Sequence, residues 1–277
     1  MSVCFFPSLC EFYGSSCASP CISPPLRYNR YTVKIPKDVI PIARRYDKQG
    51  AKRRILSVCV RLFIEKGYAR TTTAEILKLA DVANGSFYNI FDSKDAILKE
   101  LAAFMFDNQF DTAYRNLNGS GEEDPILLYA VETSLQITLT ELNENLREIY
   151  VEAYTQPRVA EYIHHRTTEE ICRIFRSCLP QATEQDFYEL EIGAEGIMRS
   201  YMAHPCSGEF TLQKKLSCFL TMLLGAYRVP ADRQEAILAH VQSIDMVALA
   251  NTLMQSLFTA LAMKYEFVLT PEMLPKG

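Results

Sequence analysis

The 24 residues from Thr71 to Lys94, TTTAEILKLADVANGSFYNIFDSK, constrain this chain more than any other stretch. They read as two short helices joined by a tight turn, with a third helix opening behind them. Thr72 followed by Glu75 has the pattern of a capping box, in which two orphan N–H groups are satisfied reciprocally. Ile76, Leu79 and Ala80 recur at i, i+3 and i+4 and form the apolar face of a very short helix. Asp81, Val82 and Ala83 interrupt that pattern. A second short helix runs from Asn84 to Phe91, with Phe87, Ile90 and Phe91 on one side and Asn84, Ser86, Tyr88 and Asn89 on the other. Nucleation is costly, and an isolated helix needs roughly 12–15 residues to persist in water. These two must therefore lean on a larger scaffold and turn their polar face outward. Small hydrogen-bonding residues and one tyrosine, on a helix that follows a tight turn, suit the major groove of DNA. The same pattern also fits two surface helices of an ordinary all-α protein.

The flanks supply the scaffold. Between Lys48 and Lys66, the residues Ile55, Val58, Cys59, Leu62 and Phe63 form a core-facing stripe, and Gly67 ends that helix. Cys59 on this stripe reads as a small core hydrophobe. Arg44, Arg45, Lys48, Lys52, Arg53 and Arg54 stand against the single acid Asp47 within eleven residues, a basic approach suited to phosphates or a minor groove. Ser93 or Asp92 caps a fourth helix opening at Lys94, whose inner face is Ile97, Leu98, Leu101 and Phe104.

From Lys48 to about Met105 the chain resembles the DNA-binding domain of the TetR family of bacterial repressors. The resemblance rests on ILSVCVRLFIEKGY, the paired Thr72 and Thr73, Ile76 and Ala80, Gly85 with Ser86, then Tyr88, Phe91 and Lys94, and it covers about 58 residues. It implies an all-α protein in which a three-helix helix-turn-helix domain precedes a helical bundle that binds an effector and dimerises. It also implies that Thr72, Thr73, Tyr88 and Lys94 hold phosphates while Asn84, Gly85, Ser86 and Asn89 approach base edges. Three positions depart from the family pattern. Asp81 stands where the turn usually has glycine, Ala83 where a serine usually caps the recognition helix, and Ile90 where His or Tyr is usual.

Net charge follows the same division. The whole chain carries −4, yet residues 44–100 hold 12 Lys and Arg against 7 Asp and Glu. Residues 101–277 hold 13 against 24. A basic module on an acidic body is expected when one part meets phosphates and the other must not. Low glycine, prolines gathered before residue 42 and long helical periods make the chain all-α. Body helices are expected at about 124–145, 146–155, 157–178, 183–204, 209–228 and 231–265, the last broken near Ser243.

Three domains follow: residues 1–46 as an unstructured extension, 47–106 as the DNA-binding domain, and 107–277 as the ligand-binding and dimerisation domain. Cys10, Cys17 and Cys21 in the extension lack the paired spacing and the histidine of a zinc site. Adjacent His164 and His165 diverge by about 100° on a helix, and no nucleophile, P-loop, zinc-protease or dinucleotide motif occurs. No enzyme, metal or cofactor is expected. No uninterrupted apolar run reaches the ~18 residues of a spanning helix, and free cysteines without pairing suit a cytoplasmic protein. Tyr150, Tyr154, Tyr162, Met198, Tyr201, Met202 and His204 are the candidate lining of an effector pocket for an apolar or mixed ligand. Phe219, Leu220, Leu223, Leu224, Leu249, Leu253, Leu257 and Leu261 are the candidate subunit interface. The reading is a homodimeric repressor of double-stranded operator DNA, released by a small-molecule effector. The alternative is a helical protein-interaction module that has lost DNA binding.

Overall fold

The computed structural model describes residues 47–105 and 124–266. The expectations for residues 1–46, and for the junction near 106, lie outside the described residues. Every described residue belongs to one compact unit.

Among the described residues there are eleven helices and no strand. The first four are α1 (Lys48–Lys66), α2 (Thr73–Ala80), α3 (Asn84–Tyr88) and α4 (residues 94–105). The body follows as α5 (Pro125–Leu142), α6 (Glu144–Ala153), α7 (Pro157–Phe175) and α8 (Glu184–Ala203), then α9 (Leu212–Ala226), α10 (Ala231–Ser243) and α11 (Met246–Tyr265). Local chemistry sets most of these boundaries. Asp124 accepts from Ile126 N–H at 2.9 Å ahead of Pro125, a residue suited to the first turn. Thr183 and Asp186 form a full capping box at α8, and Thr211 caps α9. Asn143 accepts from Asn145 N–H and Leu146 N–H. It therefore ends α5 three residues earlier, and starts α6 two residues earlier, than the hydrophobic period suggests.

Helix α5 is the centre of the body and packs against α6, α7, α8, α9, α10 and α11. Nearly every residue from Ile126 to Thr140 is buried, so its hydroxyls must find partners within the helix. Thr133 donates to the Tyr129 carbonyl at 2.8 Å, Thr138 to Ser134 at 2.7 Å and Thr140 to Ile137 at 2.7 Å. At its C-terminal end Glu141 accepts from the fully buried Lys215 ammonium at 2.6 Å, and Lys215 also donates to the His204 carbonyl at 2.7 Å. Helix α11 is long and apolar enough in composition to cross a bilayer, yet its Leu253, Leu257 and Leu261 are buried in the protein, where α11 packs on α5.

The structure corrects the assignment of the subunit interface. Phe219, Leu220, Leu223, Leu224, Leu253, Leu257 and Leu261 are all buried within one protomer, and Leu249 is half-buried. A body whose central helix is covered on all sides needs more apolar surface than a single-layer bundle, and these leucines supply it. They are core, not interface.

Candidate nucleic-acid interface

Four helices hold the head together around Ile55, Leu56, Phe63, Ile76, Phe87 and Ile97, all buried. Phe87 is fully buried beneath α3 and packs on Phe91 and edge-on to Tyr88 at 5.3 Å. That single aromatic anchors a five-residue helix that could not persist alone. The opposite side of α3 is open: Asn84, Gly85, Tyr88 and Asn89 are exposed, Tyr88 by 55%, and Ser86 is half-buried. The helix is shorter than its sequence period suggests. Asn89 and Ile90 form a turn in which the N–H groups of Ile90 and Phe91 both donate to the Phe87 carbonyl at 2.8 Å.

The start of α2 forms half of the expected capping box. Thr72 accepts from Glu75 N–H at 3.3 Å, but the Glu75 carboxylate pairs with Lys66 instead of turning back. Thr72 is exposed and Thr73 half-buried on the same rim. The turn between α2 and α3 has left-handed backbone at Asp81, with φ 51° and ψ 55°. Ala83 at the N-terminus of α3 provides no side-chain cap.

Lys94 is placed differently from a free phosphate ligand. Its ammonium donates to the carbonyls of Tyr68 and Thr71 at 3.0 and 3.1 Å and lies 3.9 Å from the centroid of the Tyr68 ring. Burial lowers its pKa, while Asp95, Glu152 and Glu148 oppose that shift. One of its three protons remains for a phosphate. The basic approach is also partly engaged. Arg54 Nε donates to the Ala80 carbonyl at 2.9 Å, Lys52 pairs with Glu100 at 2.9 Å, and Arg53 pairs with Glu266. Arg44 and Arg45 lie outside the described residues.

The head is fastened to the body at the α1–α2 turn. Asn145 donates to the Ile64 carbonyl at 2.7 Å and accepts from Arg70, while Glu148 accepts from Ala69 N–H at 2.7 Å. Gly67 lies between them at φ 90°, where a Cβ would collide with the Glu148 carboxylate. Neither Asn145 nor Glu148 stands out in the sequence, because both sit on the polar side of an ordinary amphipathic helix.

The seven candidate pocket residues do not converge. Tyr150 and Tyr154 are buried on α6 and border a narrow apolar cavity of about 20 Å³ with Leu98, Leu101 and Met105 of α4. Tyr162 lies under the Lys99 ammonium at 5.0 Å, and Met198 and Met202 are buried on α8. Tyr201 packs edge-on to Phe219 at 5.7 Å, and exposed His204 ends α8. A more open cavity of about 270 Å³ lies between α9, α10 and α11, floored by Leu216, Leu220 and Val241. None of the seven lines it. Among the described residues no three His, Cys, Asp or Glu side chains are grouped as a metal site.

What sequence reading passed over is a buried acidic centre. Glu132 of α5 and Glu191 and Glu195 of α8 are all buried. Glu132 accepts from Gln136, whose own oxygen accepts from the Tyr154 hydroxyl at 3.0 Å. Glu191 accepts from Thr167 and from Tyr227, each at 2.8 Å. Glu195 lies against His164 Nε2. Burial pushes Glu132 and Glu191 up to about 7 and Glu195 to about 8, with Glu191 adding repulsion to both neighbours. Burial lowers His164. The two shifts agree on a neutral acid against a neutral imidazole. A signal was present: Glu132 with Gln136, and Glu191 with Glu195, are polar pairs at i, i+4 on helix faces that are otherwise apolar.

Comparison with known proteins bears on the head. The family described as bacterial regulatory proteins, TetR family, matches residues 55–101. The HTH-type transcriptional repressor KstR2 of Rhodococcus jostii is 32% identical over 87 residues, which cover 31% of this chain and 42% of that protein. The HTH-type transcriptional regulator TtgR of Pseudomonas putida is 28% identical over 130 residues, covering 46% of this chain and 57% of that protein. The chain spans 42%, 30% and 54% of the length of three of the curated relatives it matches. Among solved structures, TylP, a TetR regulator from Streptomyces fradiae, is similar over 76% of this chain and 92% of its own, with 18% identity and a TM-score of 0.48.

Proposed function

We propose that this chain, whose residues 55–101 match the TetR family of bacterial regulatory proteins, is a cytoplasmic, homodimeric transcriptional repressor of that family. It binds double-stranded operator DNA through α3 and leaves it when a small molecule occupies the body. The observation that carries this reading is the exposed face of α3, where Asn84, Gly85 and Tyr88, with Asn89 just past the helix end, stand outward on an element pinned from below by Phe87. A helix with its apolar side locked and a row of hydrogen-bonding residues outward fits a major groove. Thr72, Thr73 and Tyr88 act as phosphate contacts, with Lys94 contributing its one remaining proton, and Ser86 completes the base-facing set. Tyr150 and Tyr154 border the apolar space between α4 and α6, which at about 20 Å³ admits one water, so an effector sensed there enters only as α4 and α6 part.

The second protomer is assigned to the outer face of α8 and α9. Ile192 is 48% exposed and Met222 is 52% exposed, and Gly193, Gly196 and Gly225 leave open space above the two helices. Exposed apolar side chains beside glycines admit close approach of a second pair of helices. Sedimentation of the parent as a dimer, and of an Ile192→Glu, Met222→Glu variant as a monomer, supports this face. A dimeric double variant removes it.

The test of DNA binding uses duplex from immediately upstream of the chain's own gene against a scrambled duplex. Asn84→Ala and Asn89→Ala are expected to cost roughly 1–3 kcal/mol on the operator and little on the scrambled duplex. A parent protein that binds neither duplex ends the reading.

A further inference from the structure

One helix touches both the buried acidic centre and the DNA-binding head. The Tyr154 hydroxyl, just past the C-terminal end of α6, donates to Gln136, and Gln136 donates to Glu132. At the other end of α6, Asn145 and Glu148 hold Ile64, Ala69 and Arg70 around the α1–α2 turn. The helix is 10 residues long, a rod of about 15 Å. A shift imposed at Tyr154 is therefore felt at Asn145.

We propose that operator binding by this chain is proton-linked: protons held by Glu132, Glu191 and Glu195 keep α6 seated against the head, and their loss releases it. The inference rests on the DNA-binding reading above and names a regulation of it.

Electrostatics supports the direction. The groups facing the cluster are Tyr129 from α5, Tyr154 with Tyr150 behind it from α6, His164 from α7, Arg199 from α8 and Tyr227 after α9. Glu161, His165 and Tyr188 lie on the outer side of His164. Among the described residues of this set the cation is Arg199, and it bears on Glu195. Other cations around α5 are engaged at its ends, Arg233 on Asp124, and Lys215 and Arg147 on Glu141. Glu141 is about 13 Å along the helix from Glu132. Ionising all three carboxylates thus sets like charges against one another in a dry core. Relief comes from water entry and separation of α5 from α8, and α6 packs on both. The head contributes little in the same pH window, because His164, His165, His204 and His240 all lie in the body.

The experiment is a titration of the upstream duplex at constant ionic strength from about pH 6 to about pH 8.5, with melting temperature read in parallel. Parent affinity is expected to fall about fivefold or more over that range. A Glu132→Gln, Glu191→Gln variant keeps Glu195 alone to titrate and is expected to fall less steeply than the parent, by about twofold. Tyr154→Phe leaves the carboxylates in place and cuts the link, so its melting temperature should stay pH-dependent while its DNA affinity does not. This variant also serves if the double variant fails to fold. A flat parent profile overturns the inference, as does a double variant or a Tyr154→Phe variant that keeps the parent slope. Binding to neither duplex at any pH removes the DNA-binding reading and this inference with it. Binding with a flat profile removes this inference alone.

Discussion

Lys94 donates to the carbonyl of Tyr68 at 3.0 Å while its ammonium lies 3.9 Å from the centroid of the same residue's ring. The residue that most resembles a phosphate ligand is therefore also the pin between the α1–α2 turn and the start of α4. Lys94→Met should take the ammonium from the Thr71 carbonyl and leave the Tyr68 carbonyl with Thr71 N–H alone, destabilising the protein by about 1–3 kcal/mol, besides weakening binding on all DNA. Urea melts together with a salt series on two duplexes check this. An unchanged midpoint with a salt slope smaller by about 1 would mean that the side chain serves phosphate alone.

Gly85 has no heavy atom within 4 Å of where a Cβ would stand. Nothing in the fold requires glycine there. Gly85→Ala should therefore be neutral or raise stability by up to about 1 kcal/mol through helix propensity, while reducing operator affinity because the methyl meets the groove wall. Thermal melts and duplex binding read the two effects separately; a loss of stability would contradict the open space.

Asp81 holds a left-handed conformation that costs an ordinary residue about 1 kcal/mol, and Ala83 leaves α3 uncapped. Asp81→Gly and Ala83→Ser should each stabilise the protein, by about 1 kcal/mol, and should add because they act on different backbone groups. Denaturant midpoints of the two single variants and the double variant decide it.

Stability should fall as pH rises from about 5 to about 8. Glu132 and Glu191 reach about 7 and Glu195 about 8 when folded, from an ordinary 4.5. The folded chain keeps protons that the unfolded chain has released, so stability is lost across that interval, by on the order of a few kcal/mol. Asp92, lowered by Arg158, and Asp186, lowered by Thr183, act in the opposite sense. Their contribution is present above the ordinary carboxylate pKa and lost as pH falls below about 4. A maximum near pH 5 is expected in urea midpoints, with a shallower decline above it for Glu132→Gln. A midpoint that climbs toward pH 8 would refute the account.

Much of the head could be read along the chain because its signals are local. The stripe Ile55, Cys59, Leu62 and Phe63, the Gly67 stop and the Ser93 cap each act within a turn or two, and the structure contains all three. Asn84, Tyr88 and Asn89 fall on the exposed side of α3 for the same reason: periodicity separates the face with Phe87 from the face without it. The starts of α7 and α8 follow from Pro157 and Thr183, which act on their own backbone, whereas α9 opens at Leu212 behind Thr211, three residues later than expected.

Tertiary structure decided whatever depends on a partner far along the chain. Whether Lys94 is free or spent turns on carbonyls 23 and 26 residues away. The leucines of α9 and α11 look the same in sequence whether they meet a second protomer or their own α5, and only packing assigns them to the core. The acidic centre joins Glu132 to Tyr154 through Gln136, and Glu191 to Thr167 and Tyr227, across α5, α7, α8 and the ends of α6 and α9. Burial raises a carboxylate's pKa through the dielectric around it, which is a property of the assembled neighbours and not of the residue. Sequence by itself determined a helix-turn-helix head on an acidic helical body; the acidic centre and the α6 link to that head exist only once the chain has closed on itself.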